Sequence, residues 1–400
     1  MERPVPELRP DLQIIPIEQE GRKLIYFHDS MNYLTDHFAL DINVQPLLIL
    51  FDGSRSIKQI YQQLDGSIGK EDLLEFVKLL DSHRALNSDY YKQFSSRSEE
   101  KFEAQKVRYP VLNGKSYPED TDAAAEYIRS ILNDSPSTGK APQLQALYAP
   151  HIELSVGEKQ YGEAFSALAE NRPTRVIILA TSHYSSYYYH FYDGFPFIGS
   201  EKSYHINGRE LEPDPEVIKA LNDNSPANGF TTHDRAHRVE HSIEFHLLFA
   251  SQIWQHDFKI VPILIGGFDE LFYKSDGHLS TQIEQFSLGL KPYLDEETFV
   301  LISGDLSHVG KKFGDREPAS SMREQVEESD KQFLEHAISG SPEEILDHLS
   351  KDYDATRICG FSPLYTYLRM FPGKTGKLLN YYWWDEKETE SAVSFGSILY

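Results

Sequence analysis

Arg175-Val176-Ile177-Ile178-Leu179-Ala180-Thr181-Ser182-His183 reads as a short apolar strand that ends on a histidine. An aliphatic run of this length, without polar alternation, suits a strand buried on both faces. The pattern recurs where 145–149 (QALYA) runs into Pro150-His151, and where 298–303 (TFVLIS) runs into Gly304-Asp305-Leu306-Ser307-His308. A fourth such run covers 258–265, and helical patterns lie near 121–132, 158–169, 240–254, 276–290 and 321–350. Apolar strands alternating with helices predict an α/β domain whose central mixed or parallel sheet is flanked by helices. Open sheets of this class bind ligands at the carboxyl ends of their strands. A single histidine is more often a hydrogen-bonded core or surface residue than a ligand; the repetition of strand followed by histidine makes His151, His183 and His308 candidates.

Cys359 is the only cysteine and lies in the turn Arg357-Ile358-Cys359-Gly360-Phe361-Ser362-Pro363. One thiol cannot close an internal disulfide, so its special uses reduce to nucleophile or metal ligand. Against these stands the plain alternative of a small buried hydrophobe.

The chain has 400 residues, 40% hydrophobic and 12% aromatic, enough for about two domains with substantial cores. Its formal charge of −23 would repel a phosphate backbone, and no basic patch interrupts it, so nucleic acid is not an expected partner. No apolar run approaches the roughly 18 residues needed to span a bilayer. The start, MERPVPELRPDL, has acids and prolines where a signal peptide has a basic start and an apolar stretch. Together with the low cysteine use, this predicts a cytoplasmic protein with no membrane partner.

Residues 11–28 alternate apolar and polar around Glu20-Gly21, which predicts a β-hairpin. Helical patterns cover 43–51, 56–64 and 70–82, and ALNSDYY (85–91) reads as a short closing strand. The polar stretch 94–106 is the best linker candidate, which divides the chain into residues 1–95, a linker at 96–106, and residues 107–400. LRPDLQI, LILFDGSRSIKQIYQQL and LLEFVKLLDSHRAL resemble the PqqD-like winged-helix domains. The resemblance implies a small winged-helix domain that binds a peptide or a partner enzyme. Winged helices also bind DNA, but the 70–82 helix carries Glu71, Asp72, Glu75 and Asp81 against Lys70 and Lys78, which disfavours a phosphate groove.

His241-Ser242-Ile243-Glu244-Phe245-His246 opens a predicted helix. Its histidines are five apart, not the four that place both zinc-protease ligands on one face, whereas His241 and Glu244, three apart, share a face.

Residues 107–400 resemble the Memo family, known in bacteria as the AmmeMemoRadiSam system protein B group. The segments that carry the likeness, in order, are GKSYPED (114–120), YAPHIEL (148–154), VIILATSHY (176–184), EHSIEFHLLF (240–249), VPILIGG (261–267), VLISGDLSHVGKKFG (300–314), ICGFSP (358–363) and SAVSFGS (391–397). The family's fold is similar to that of class III extradiol dioxygenases. Matched by motif, its metal ligands fall on His151, His183 and Cys359, with Asp305 and His308 in the same pocket. This implies one transition-metal ion held by two imidazoles and a thiolate, with open coordination positions. Fe(II) or copper is favoured, and zinc is compatible with the soft thiolate. Two departures bear on the pocket wall: His151-Ile152-Glu153-Leu154 replaces an HAGY-type sequence, and Ser116 stands where an aromatic often precedes Tyr117.

Within that site Asp305 is expected to accept a hydrogen bond from a ligand imidazole, and His308 to act as general acid or base. His241 and Glu244 either support the ligands or simply cap and pack their helix. The tyrosines of 184–189 read first as cover for the core, and Trp383-Trp384 as edge-strand packing. The implied function is metal-dependent redox chemistry, dioxygenase-like, associated with a radical S-adenosylmethionine enzyme and an AMMECR-type protein. The competing readings are a non-catalytic metal- or peptide-binding protein with a vestigial cleft, and a hydrolase using Cys359 with His308 and Asp305.

Overall fold

The computed structural model describes residues 3–35, 38–135 and 145–400, which form two compact units divided between Ala104 and Gln105. In the first unit β1 (Gln13–Gln19), β2 (Arg22–His28) and β3 (Ala39–Asp41) make an antiparallel sheet in that order. The β1–β2 hairpin turns on left-handed backbone at Glu20 (φ 50°) and Gly21 (φ 74°), the hand that matches strand twist in a two-residue loop. Helices α1 (Ile57–Gln63), α2 (Lys70–Ser82) and α3 (Asp89–Ala104) follow. Ser56 and Gln59 close a capping box at the start of α1, with the Ser56 amide donating to Gln59 Oε1 at 2.8 Å. Ile25 and Phe27 pack with Ile60, Leu73 and Leu80 in one buried cluster.

Three local expectations change. The helix expected over 43–51 is a 3₁₀ turn, Ile42–Val44, and one α-turn, Gln45–Leu48, because Pro46 has no amide to donate and fits only a helix's first turn. The strand expected over 85–91 reduces to a single bridge between Leu86 and Leu8. Ser88 and Asp89 then start α3, which runs through most of the segment expected to be a linker. Its polar composition hid one packed face: Phe102 is buried, and the Arg84 guanidinium lies 4.0 Å from the Phe94 ring centroid.

The second unit is built on a nine-stranded sheet among the described residues. Its strands are β4 (Ala146–Ala149), β5 (Arg175–Thr181), β6 (Phe197–Gly199), β7 (Phe230–Thr231), β8 (Lys259–Ile265), β9 (Thr298–Ser303), β10 (His308–Gly310), β11 (Lys377–Glu386) and β12 (Ser391–Leu399). The central order is β8-β5-β9-β4, all parallel. These are the apolar runs read from the sequence, and their side chains are buried almost without exception. β6 joins antiparallel at one side, and β12 joins antiparallel to β4 at the other. β12 also carries β10 and the edge strand β11, so the sheet is mixed. Trp383 on β11 packs with Val309, Val326 and Ala392.

Helices α4 (Thr121–Asp134), α5 (Leu154–Ser166), α6 (Pro215–Asp223), α7 (Ser242–Ile253), α8 (His278–Leu290), α9 (Ala319–Ser339), α10 (Pro342–Ser350) and α11 (Phe361–Met370) flank the sheet. Ile177 and Leu179 of β5 share a core with Phe361, Leu364 and Leu368 of α11. The helical pattern at 321–350 divides at Gly340, whose φ of 74° ends α9 in the left-handed region and turns the chain into Pro342.

Candidate metal centre

β4, β5 and β9 run in the same direction, so the segments leaving their carboxyl ends meet on one side of the sheet. They carry His151, His183 and the Asp305–His308 segment. Cys359 reaches the same place from the turn before α11. The two turns touch through glycines: a Cβ on Gly304 would lie 2.2 Å from Gly360 Cα, so a larger residue at 304 would push the cysteine turn away. The Gly360 amide donates to the Asp305 carbonyl at 2.9 Å, and the Thr181 hydroxyl donates to the Cys359 carbonyl at 2.8 Å.

The ligand atoms of His151, His183 and Cys359 lie within 4.8 Å of one another. Cys359 Sγ is 3.3 Å from His151 Nε2, and the rings of His151 and His183 are 4.8 Å apart, edge to face. Each imidazole is held from behind. Ser303 Oγ donates its proton to the Ser242 carbonyl at 2.7 Å, so toward His151 Nδ1, 3.1 Å away, it accepts. His183 Nδ1 lies 2.9 Å from Glu240 Oε1, and its amide donates to Glu240 Oε2 at 2.8 Å. Both Nδ1 atoms therefore carry a proton, and the two Nε2 atoms are left on the side of Cys359. Burial would lower the His183 imidazole, but Glu240 and Cys359 outweigh it and hold it well above its ordinary range, so an ion bound at that Nε2 would displace a proton.

Asp305 is buried beside them, in a different role from the expected one. Its Oδ1 accepts the His151 amide at 3.0 Å, while Oδ2 stays 3.7 Å from His151 Nε2. It fixes the backbone of a candidate ligand; the imidazoles are oriented by Ser303 and Glu240. His308 Nδ1 lies 3.0 Å from the carbonyls of both Leu306 and Arg357, which can only accept. Its Nε2 is the free nitrogen, and the acceptor atoms of Asp305, His308 and Cys359 lie within 4.8 Å of one another.

His241 and Glu244 separate. His241 stands at the N-cap of α7 rather than on its face, and its ring stacks on His183 at 4.8 Å and 15°. Glu244 is fully buried and turned away: it pairs with Arg108 and accepts from the amides of Val111 (2.9 Å) and Leu112 (3.0 Å) and from the Tyr117 hydroxyl (2.6 Å). Arg108 also donates to the Glu240 carbonyl, so this cluster fixes the residue that orients His183. Glu240 and Ser303 have no distinguishing spacing in the sequence. The signal for Glu240 was its position beside a histidine in EHSIEFH.

The sequence profile of the Memo-like protein family matches residues 108–399, most of the chain and all of the residues just described. The chain belongs to the Memo-like family. A MEMO1 family protein of Aquifex aeolicus is 25% identical over 401 residues, covering 98% of this chain and all of that protein. One from Thermus thermophilus is 26% identical, covering 86% of this chain and 97% of its own length. One from Pyrococcus abyssi is 25% identical and covers 73% and 99%.

The electrostatics of this Memo-like centre follow from burial. Burial holds the His308 and His241 imidazoles down to about 4, so both are neutral at pH 7, and raises the Asp305 carboxyl to about 7. Burial would also raise Glu240, but the adjoining His183 outweighs it and brings the carboxyl down to about 2. The Cys359 thiol is pushed up by burial, the reverse of what an activated nucleophile needs, and its hydrogen-bond partners include His151 and Asp305 rather than His308. In the tyrosine-rich segment, Tyr188 and Tyr192 are buried, and Tyr192 donates to the His233 carbonyl at 2.8 Å. No helix among the described residues is long and apolar enough to cross a membrane.

Proposed function

We propose that the chain holds one transition-metal ion on His151, His183 and Cys359, Fe(II) or copper by preference, and uses it for oxidative chemistry on a substrate in the adjoining cleft. The observation that carries this reading is the direction of three donors: two imidazoles with Nδ1 committed to Ser303 and Glu240, both presenting Nε2 beside one thiol. Two imidazoles and a thiolate suit soft or borderline ions, and three protein ligands leave positions for other molecules. A bound ion would supply Lewis acidity or electron transfer and would stabilise the thiolate. Ser303 and Glu240 hold the ring orientations, and Asp305 holds the His151 backbone. His308, neutral with Nε2 free, is placed to accept a proton from a substrate hydroxyl or amine.

The family resemblance supports work beside a radical S-adenosylmethionine enzyme and an AMMECR-type protein. β1, an edge strand paired only with β2 among the described residues, supports peptide capture by strand addition on the first unit.

The test is metal content of anaerobically purified chain beside Cys359→Ser, His151→Ala and His183→Ala. The expected outcome is about one ion per chain in the parent and loss in each variant. Equal, negligible binding in all four after reconstitution would overturn the reading. Dioxygen uptake by the loaded chain with candidate catechols or peptides then separates turnover from a vestigial cleft.

A further inference from the structure

Thr181, Ser182 and Cys359 also border a cavity of about 220 Å³ beside the candidate metal centre. Its other walls include three phenylalanines, two isoleucines, two aspartates and Arg357. The Phe272 and Phe361 rings lie 5.4 Å apart and nearly parallel, with Phe268 edge-on to Phe361 at 6.4 Å. Asp269 and Asp354 supply carboxylates. Asp354 is anchored by the Ile358 amide at 3.0 Å, and Asp269 has no basic partner among the described residues. Arg357 is the one basic residue on the wall, and its guanidinium is committed to Asp315 and to the carbonyls of His308 and Ala355.

The two acid-bearing segments are braced. Tyr273, next to Phe272, stacks on Tyr353, next to Asp354, at 4.8 Å and 16°. Tyr353, Asp354 and Arg357 all take left-handed backbone, with φ of 60°, 51° and 59°, a conformation that persists only where its surroundings enforce it. An anion entering this cavity would meet the Asp269 carboxylate and a second carboxyl, Asp354, which a cation would ionise, while the Arg357 charge is already paired with Asp315. A neutral apolar group would desolvate both acids without compensation. A cation gains the charge attraction of the two acids and contact with the partly exposed Phe272 ring, a combination that recognises ammonium and guanidinium groups.

We propose that this cavity is a subsite for a primary ammonium or guanidinium on a short aliphatic stem, belonging to the molecule whose other end reaches His151, His183 and Cys359. The second half of that statement rests on the metal-site reading; the preference for a cation does not. The volume is below the roughly 300 Å³ at which drug-sized ligand pockets begin, and fits a fragment the size of a lysine or arginine side chain.

The experiment is saturation-transfer NMR titration of the full chain, metal-free and metal-reconstituted, with n-butylamine, butylguanidine, n-butanol and butyrate. The cations are expected to bind at least about tenfold more tightly than the alcohol or the acid. Asp269→Asn, exposed and so safe for folding, and Asp354→Asn should each remove most of that preference, with circular dichroism confirming the fold. Butanol binding as tightly as butylamine, or parent-like preference in both variants, would overturn the proposal. A chain that takes up no metal yet prefers cations leaves the subsite standing and removes the metal reading. A metal-loaded chain without cation preference does the reverse. Comparing acetyl-Gly-Lys-Gly-amide with butylamine identifies the source, since a peptide substrate ranks the tripeptide first and a free amine ranks it second.

Discussion

The Arg108–Glu244 cluster and the His151–His183–Cys359 centre are both polar and both rest on the Glu240–Glu244 segment, the first fully buried and the second partly, yet they are satisfied in opposite ways. Around Glu244 every charge has its counterpart inside the protein: a guanidinium, two amides and a phenol converge on one carboxylate. At the candidate metal centre the outward atoms of the histidines are bonded to Ser303 and Glu240, while the inward atoms, two Nε2 and one Sγ, lie within 4.8 Å of one another. A closed cluster stabilises the fold and does nothing else. A cluster satisfied behind and open in front is arranged for something from outside.

The largest expected effect belongs to the closed cluster. Glu244→Ala leaves Arg108 buried and unpaired and should cost about 3–5 kcal/mol in urea unfolding of metal-free protein. His151→Ala should cost much less, about 1–2 kcal/mol, because no full charge is orphaned. Equal losses would erase the distinction between the two regions.

Next comes the backing of the open cluster. Glu240→Gln should weaken metal binding by about 10–100-fold, since a carboxylate both orients His183 and raises its basicity. Ser303→Ala removes only a neutral acceptor behind His151 and should weaken it by a few-fold at most. Competition with a chromophoric chelator measures both, and the reverse ranking would show that charge behind the ring is not what matters.

The smallest effect sharpens the comparison on a group between the two extremes. Burial lifts the Asp354 carboxyl to about 7 from an ordinary 3.8. The folded chain then holds a proton that the unfolded chain releases, so stability from this residue falls as pH rises from about 4 to about 7. Asp354 is partly exposed, so the slope is worth on the order of 1 kcal/mol. Asp354→Asn should flatten the pH dependence of the urea midpoint across that interval, and an unchanged difference between the two chains would show that the carboxyl titrates normally.

Strands Arg175–Thr181 and Thr298–Ser303 and helix Lys70–Ser82 lie where their patterns put them, because each pattern is set by neighbours in sequence. Helix Asp89–Ala104 was hidden because few of its residues are apolar and its face is completed by Arg84, outside the helix. Strand Ser391–Leu399 is buried throughout despite Ser394 and Ser397. Ser394 finds a partner in Asp330, which no local pattern announces.

By itself, the sequence determined that short apolar strands end on His151, on His183 and just before the Asp305–His308 segment, and that one thiol is available at Cys359. Local periodicity and composition are enough for that. Only the tertiary structure decided that Glu240 and Ser303 set the tautomers, that Glu244 belongs to Arg108, and that Asp269 and Asp354 face one cavity. Those pairings join residues far apart in the chain, and a buried polar atom's role depends on which partner remains within hydrogen-bond reach after the sheet has formed.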